Sequence, residues 1–275
     1  MSIKILNNLS KNVYNIFYFY VEEQTKICYN FVMQKVVLID RKLKENYLSF
    51  IKSQGYDVVY IPENKRVYDE VSSHTDISCT KIKGKVIIEP RLNSYLKRNN
   101  LKGVICGNKN VCGKYPYDVL YNVCVMGNVA IHNFKFTDKT VLKYIKKNKL
   151  KCVNVKQGYT NCSIAKIGEK ACITSNSQIA RKLVSSGIDV LLIDTENEKN
   201  IKLLKNNGTY SNMHGFIGGC MTNIENKIIL FGDYKKLIDG DKIKKFVESY
   251  GYEFVWFTGE DIIDYGGAVV VKRGR

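Results

Sequence analysis

The chain is short of proline, arginine and acidic residues, and each shortage removes a class of protein. With 3 Pro and 20 Gly among 275 residues, it is neither collagen-like nor a proline-rich disordered segment. No apolar run approaches the ~18 residues of a membrane helix, so no membrane partner is expected. Arg numbers 7 against 36 Lys. Base-reading proteins lean on the planar Arg fork, so the net charge of +17 is not read as specific nucleic-acid binding. AT-rich coding, which favours Lys, Asn, Ile and Tyr, accounts for the 26 Asn and 19 Tyr. No C-x-x-C occurs, and Cys106 and Cys112 have the wrong spacing for a zinc knuckle; neither metal nor cofactor is expected. No G-x-G-x-x-G follows a first strand and no Walker loop occurs, which excludes the common nucleotide sites.

What is present suits a packed fold. The hydrophobic fraction is 45%, and the length can bury a sizeable core. Residues 1–34 hold Tyr, Asn and Glu where a secretory leader needs an apolar core and a small-residue cleavage site. Nine Cys, an odd number, are therefore expected as free thiols in a reducing, cytoplasmic setting. Residues 1–34 form an N-terminal extension: either a docking helix with Val13, Ile16, Phe17 and Tyr20 on one face, or a poorly ordered stretch from a misassigned start. Residues 35–275 are expected to make one domain.

That domain is repetitive. An amphipathic helix, a turn and a short apolar strand recur five times, at 45–61, 92–105, 141–155, 179–193 and 243–257. Three of the five helices run into Gly, the left-handed cap that ends a helix. Each unit is followed by a loop and a hairpin-like pair, beginning near His74, Tyr121, Gly158, Gly215 and Asp264. Turn residues Lys83-Gly84, Gly127-Asn128, Gly168-Glu169 and Glu225-Asn226 mark four hairpins. Strand starts fall at 56, 101, 150, 188 and 252; the last interval carries a polar insertion at 197–212, expected as a surface loop. Such a unit cannot bury its apolar faces alone, but a closed ring can. The expected fold class is α/β: a five-module, pseudo-symmetric propeller with hairpins at the axis, helices outside and a pocket where the hairpin loops converge. The segment 135–156 carries eight Lys and is read as a solvated outer helix rather than an anion-binding face.

The five-module pattern resembles the pentein fold of guanidino-group modifying enzymes, over roughly residues 35–275, and is closest to bacterial members of that fold with no assigned reaction. The resemblance implies chemistry in which a Cys thiolate attacks a guanidinium carbon, carboxylates clamp the cation and a His moves protons. In that family the Cys follows a Gly-rich stretch in the last module; here Asp264-Tyr265-Gly266-Gly267 is followed by Ala268-Val269-Val270-Val271. The family's His opens a His-x-Asp motif in the third module; here the chain reads Gln157-Gly158-Tyr159-Thr160-Asn161.

Other residues at the hairpin starts supply the same side-chain types. The catalytic candidates are Cys220 and Cys162 as nucleophile, with His214 and His74 as proton carriers. The substrate-binding candidates are Asp76, Asp264, Tyr159, Asn122, Gly218 and Gly219, the two glycines for close backbone approach to a ligand. Cys79 and Cys124 recur at similar module positions and read as packing residues; His132, on an apolar strand, reads as a satisfied structural His. Two functions remain open: a thiol-dependent hydrolase or transferase of a guanidine or amidine compound, and a catalytically silent pentein that binds a small molecule or a protein. The oligomeric state has no signature in the sequence.

Overall fold

The computed structural model describes residues 35–204 and 213–274; the expected helix around Val13–Tyr20 and part of the 197–212 insertion lie outside them. Four modules share one build. A hairpin pairs antiparallel, and its second strand then pairs parallel with the strand that follows the module's helix. Cys79–Ile82 pairs with Lys85–Ile88 (Cys79↔Ile88), which pairs with Val104–Cys106 (Val86↔Val104). The same order holds for Cys124–Met126, Val129–His132 and Lys151–Asn154. It recurs in Ala165–Ile167, Ala171–Thr174 and Asp189–Leu192, and in Met221–Ile224, Lys227–Leu230 and Glu253–Val255.

The fifth module corrects one expectation. Residues 264–274 do not fold back into a hairpin-like pair. The strand Ala268–Arg273 pairs antiparallel with Lys35–Asp40 (Val37↔Val270), which pairs parallel with Asp57–Ile61 (Val37↔Val58). The first described strand thus completes the last module. Five buried apolar clusters show that the ring closes, because each joins two neighbouring modules. Ile77 meets Val123 and Ile145, Cys124 meets Ile179, and Ile173 meets Ile228. Ile229 meets Val37, and Val36 meets Ile88. Burying both faces of each unit in this way supplies the stability that one module lacks.

The helices end where the backbone turns left-handed. Gly55, Gly187 and Gly251 have φ of 80°, 82° and 76°, and Asn100 and Lys149 fill the other two positions at 52° and 53°. A second correction concerns the insertion. Residues 197–200 lie in a short 3-10 turn, Thr195–Asn200, with Asn197 buried. Ile201–Leu203 then pairs in parallel with Ile262–Asp264. This part is a structural strap, and it fixes the position of Asp264.

Candidate active site

The hairpin starts meet at one end of the ring around a cavity of about 310 Å³. Its walls include His74, Tyr159, Cys162, Leu203, His214, Phe216 and Asp264. The chain is threaded through this end by backbone hydrogen bonds between modules: Asp76 N donates to Gly266 O (3.2 Å), Asn161 N to Asn122 O (3.2 Å) and Gly218 N to Cys162 O (2.7 Å).

Asn122 is the hub. Its Oδ1 accepts from the amides of Asn161 (2.8 Å) and Cys162 (3.3 Å). Its Nδ2 donates to the Asp76 carbonyl (3.1 Å) and to Cys162 Sγ (3.0 Å). The thiol in turn donates to Asp76 Oδ2 at 2.8 Å. Burial raises the Cys162 pKa well above the usual thiol range, and the Asp76 and Asp264 charges raise it further. Burial pushes the Asp76 carboxyl up to about 6, with His74 opposing and Asp264 adding to the shift. At neutral pH the pair is therefore a protonated thiol on a mostly ionised carboxylate.

Three carboxylates surround His74, all essentially without solvent exposure. His74 Nε2 lies 3.7 Å from Asp40 Oδ2 and Nδ1 lies 3.7 Å from Asp264 Oδ1. Asp264 is held from its other side by the amides of Gly266 (2.8 Å to Oδ1) and Phe216 (2.9 Å to Oδ2). Three buried polar atoms here have no hydrogen-bond partner: Asp40 Oδ2, Asp76 Oδ1 and His74 Nδ1. Such atoms are rare; His74 lies on the cavity wall, and Asp40 and Asp76 sit behind it.

The cavity's other wall is aromatic. Tyr159 and Phe216 stack at 6.2 Å and 28°, and His214 meets Phe216 edge-on at 6.4 Å. The Tyr159 hydroxyl donates to Asp118 Oδ2. Burial raises the Asp118 carboxyl, and the Tyr159 bond opposes this.

The remaining candidates fall elsewhere. Cys220 is fully buried in an apolar cluster with Ile217, Ile228 and Ile262, and its Sγ donates to Ile217 O at 3.2 Å. Burial raises its thiol pKa too, and it lines no part of the cavity. Gly218 and Gly219 also stand outside the cavity wall and serve the protein's own packing. A Cβ on Gly218 would lie 2.5 Å from the carbonyls of Asn161 and Cys162, and one on Gly219 would overlap the Asp264 carboxylate. His132 is buried, bonded to Thr137 Oγ1 (2.6 Å) and Gly158 O (2.8 Å), and its pKa is lowered by burial to about 4; it is a neutral structural group. The 135–156 segment places Val141 and Ile145 inward, with Lys143, Lys146 and Lys147 exposed.

Sequence reasoning missed Asp40, Asp118, Phe216 and Leu203. Asp40 had a signal: a carboxylate closing the apolar run Val36–Ile39 at the end of a buried strand. The others depend on loop geometry that carries no pattern.

The architecture is similar to that of solved enzymes of low sequence identity. Dimethylarginine dimethylaminohydrolase from Pseudomonas aeruginosa, as a variant complexed with citrulline, matches with a TM-score of 0.52 at 9% identity, over 88% of this chain and 100% of that one. A second dimethylarginine dimethylaminohydrolase structure, a variant adduct with S-methyl-L-thiocitrulline, gives 0.51 at 10% identity, over 82% and 92%. An amidinotransferase of saxitoxin biosynthesis from Microseira wollei gives 0.42 at 8%, over 82% and 88%. The protein thus has the pentein fold, the α/β propeller of guanidino-group modifying enzymes. Residues 38–269 match the Family of unknown function (DUF6873), and the chain belongs to that family. No curated protein matches the chain.

Proposed function

We propose that the cavity binds a small guanidinium or amidinium compound and that Cys162 is the nucleophile of a hydrolase or amidino-transfer reaction. One observation carries the proposal: Cys162 is a cavity-lining thiol hydrogen-bonded to a carboxylate, beside buried acceptors without partners. A planar cation against the stacked Tyr159 and Phe216 rings gains ring contact, and Asp264 offers it a charged acceptor. The same positive charge lowers the thiol pKa, which burial and then the Asp76 and Asp264 charges raise in the free protein.

The step then balances. The Cys162 proton passes to Asp76, and Sγ bonds to the central carbon of the cation. The carbon–nitrogen bond to the departing amine breaks as that amine recovers the proton from Asp76. Water or an acceptor amine next displaces Sγ and restores the thiol. The pKa of about 6 at Asp76 lets this carboxyl both take and return a proton near neutral pH. Asn122 is a positioning residue, because it aligns Sγ and the backbone that carries it.

A second reading, binding without turnover, draws support from His74. Both its ring nitrogens are directed at carboxylates, at Asp40 and Asp264, so Asp76 is the only titratable group bonded to Sγ in the described residues. A panel of guanidines and amidines, followed by release of ammonia, amine or urea, separates the two. The catalytic reading expects turnover that Cys162→Ala abolishes and Cys220→Ala leaves. Tight binding with no product from any compound would favour the silent module.

A further inference from the structure

The far end of the axis has the opposite charge. Each of the four hairpins has one first-strand residue in the second ladder pair from its turn: Lys81↔Val86, Val125↔Ala130, Lys166↔Cys172 and Asn223↔Ile228. Both neighbours of each are buried while the residue itself is not; strand alternation turns Lys81, Lys166 and Asn223 away from the core, while Val125 packs partly against it. Two of the four are lysines. Lys81 and Lys166 border one small hollow of about 150 Å³, backed by Asn161, Gly218, Gly266 and Gly267. Lys81 Nζ donates to Val270 O (2.8 Å) and Lys166 Nζ to Asn161 Oδ1 (3.0 Å). Both acceptors are neutral.

This hollow shares Lys81, Asn223 and Val270 with a wider depression of about 490 Å³ that adds Lys35, Lys85, Lys102 and Lys272. Glu225 is the one carboxylate lining either hollow, and it is paired with Lys35. Five lysines thus converge without a lining carboxylate to offset them. Partial burial lowers the Lys81 pKa, and repulsion from Lys166 and Lys272 lowers it further; behind the hollow, Lys166 also acts on the buried Asp76 carboxyl.

We infer that this mouth is an anion site for a small molecule carrying at least two phosphate-type groups. One oxyanion sits between Lys81 and Lys166, and the next rests on the Lys85, Lys102 and Lys272 shelf. The inner hollow has room for a single such group, which favours a compact oligophosphate over a nucleic-acid strand. Ammonium groups hold phosphate as point charges, and the contact weakens as salt rises. The hollow shares no lining residue with the thiol cavity, although Lys166 acts on Asp76 through space.

Calorimetric titration of the full chain with inorganic pyrophosphate at low salt tests the inference. Saturable binding is expected, weakening with added salt. Lys81→Gln and Lys166→Gln should each weaken it about tenfold, the loss of one charge-assisted contact, while Lys143→Gln on the outer helix leaves it unchanged. If those variants fail to fold, acetylation footprinting of the unaltered chain serves instead: pyrophosphate should protect Lys81 and Lys166 and not Lys143. No saturable binding, equal effects from all three substitutions, or tighter binding of single-stranded RNA than of pyrophosphate would overturn it. Cys162→Ala should bind pyrophosphate normally, so failure of the thiol chemistry and failure of this site are told apart.

Discussion

Replacing Gly219 by Ala tests how the site's carboxylate is held. Gly219 has no left-handed φ, so the backbone itself tolerates a side chain. Space does not: the added Cβ would overlap Asp264 Oδ1 and Cγ and lie 2.6 Å from Oδ2. The carboxylate must leave the amides of Gly266 and Phe216, now at 2.8 and 2.9 Å. Hydrogen bonds to a charged group contribute about 1.5–3 kcal/mol each, so losing both costs roughly 3–6 kcal/mol. The gain from a less flexible unfolded chain is only about 0.4–1 kcal/mol. The expected net destabilisation is about 2–6 kcal/mol, a large share of the roughly 5–15 kcal/mol typical of folded proteins. Urea unfolding reads it directly. Gly55→Ala, at a φ of +80° with nothing within 4 Å, isolates backbone strain and should cost about 1–2 kcal/mol. The Asp264→Ala change should cost much less in the Gly219→Ala background than in the native chain. A loss below about 1 kcal/mol for Gly219→Ala would refute the reasoning, because relaxation would then be cheaper than the two bonds.

Three further outcomes follow from the same geometry. The Asp76 carboxyl titrates at about 6 in the folded protein and at 3.8 ordinarily, so the folded state holds the extra proton. Stability should therefore fall as pH rises from about 4 to about 6, at up to about 1.4 kcal/mol per pH unit; melting temperatures across that window should be flatter for Asp76→Asn. Asn122→Ala strands the amide of Cys162, leaves that of Asn161 only its 3.2 Å bond to the carbonyl of residue 122, and removes the donor to Sγ. It should cost about 2–4 kcal/mol in urea unfolding and slow alkylation of Cys162. Cys220→Ala should leave the alkylation rate of Cys162 unchanged in mass-spectrometric mapping, because Cys220 sits in a separate apolar cluster.

The parts of the fold that were legible in the sequence are local. A helix that must end leaves a left-handed residue behind it, and Gly55, Gly187 and Gly251 announce three such ends. Asn100 and Lys149 do the same work without the Gly signature, yet the helix-to-strand periodicity still exposes those modules. Four hairpins were readable from their turns. The pairing of Lys35–Asp40 with Ala268–Arg273 was not, because both strands are apolar on both faces and nothing local names a partner some 230 residues away. The Ile201–Leu203 strap has the same difficulty: three residues beside a polar stretch. Of the candidates at hairpin starts, His74, Tyr159, Cys162, His214 and Asp264 line the cavity, and Asp76 and Asn122 hydrogen-bond to Cys162 behind it. Cys220 lies one position later along its own hairpin, three residues before Asn223 where Cys162 lies four before Lys166, and its side chain turns inward to Ile217 and Ile228. Gly218-Gly219 signalled a close approach correctly; what approaches is Asp264 and the Asn161–Ile164 turn.

The central claim is that the cavity admits a planar cation beside Cys162, and a competition between two alkylating agents tests it most directly. A haloacetamidine and the neutral haloacetamide with the same leaving group would be reacted with the chain at neutral pH and the labelled thiols mapped. The exposed Cys106, Cys112 and Cys152 provide the reference rate. The cationic reagent should label Cys162 at least about tenfold faster than the neutral one, because its charge both docks it and lowers the thiol pKa. Asp264→Asn should erase most of that preference. Equal rates for the two reagents at Cys162, or labelling by the cationic reagent confined to the exposed thiols, would contradict the account.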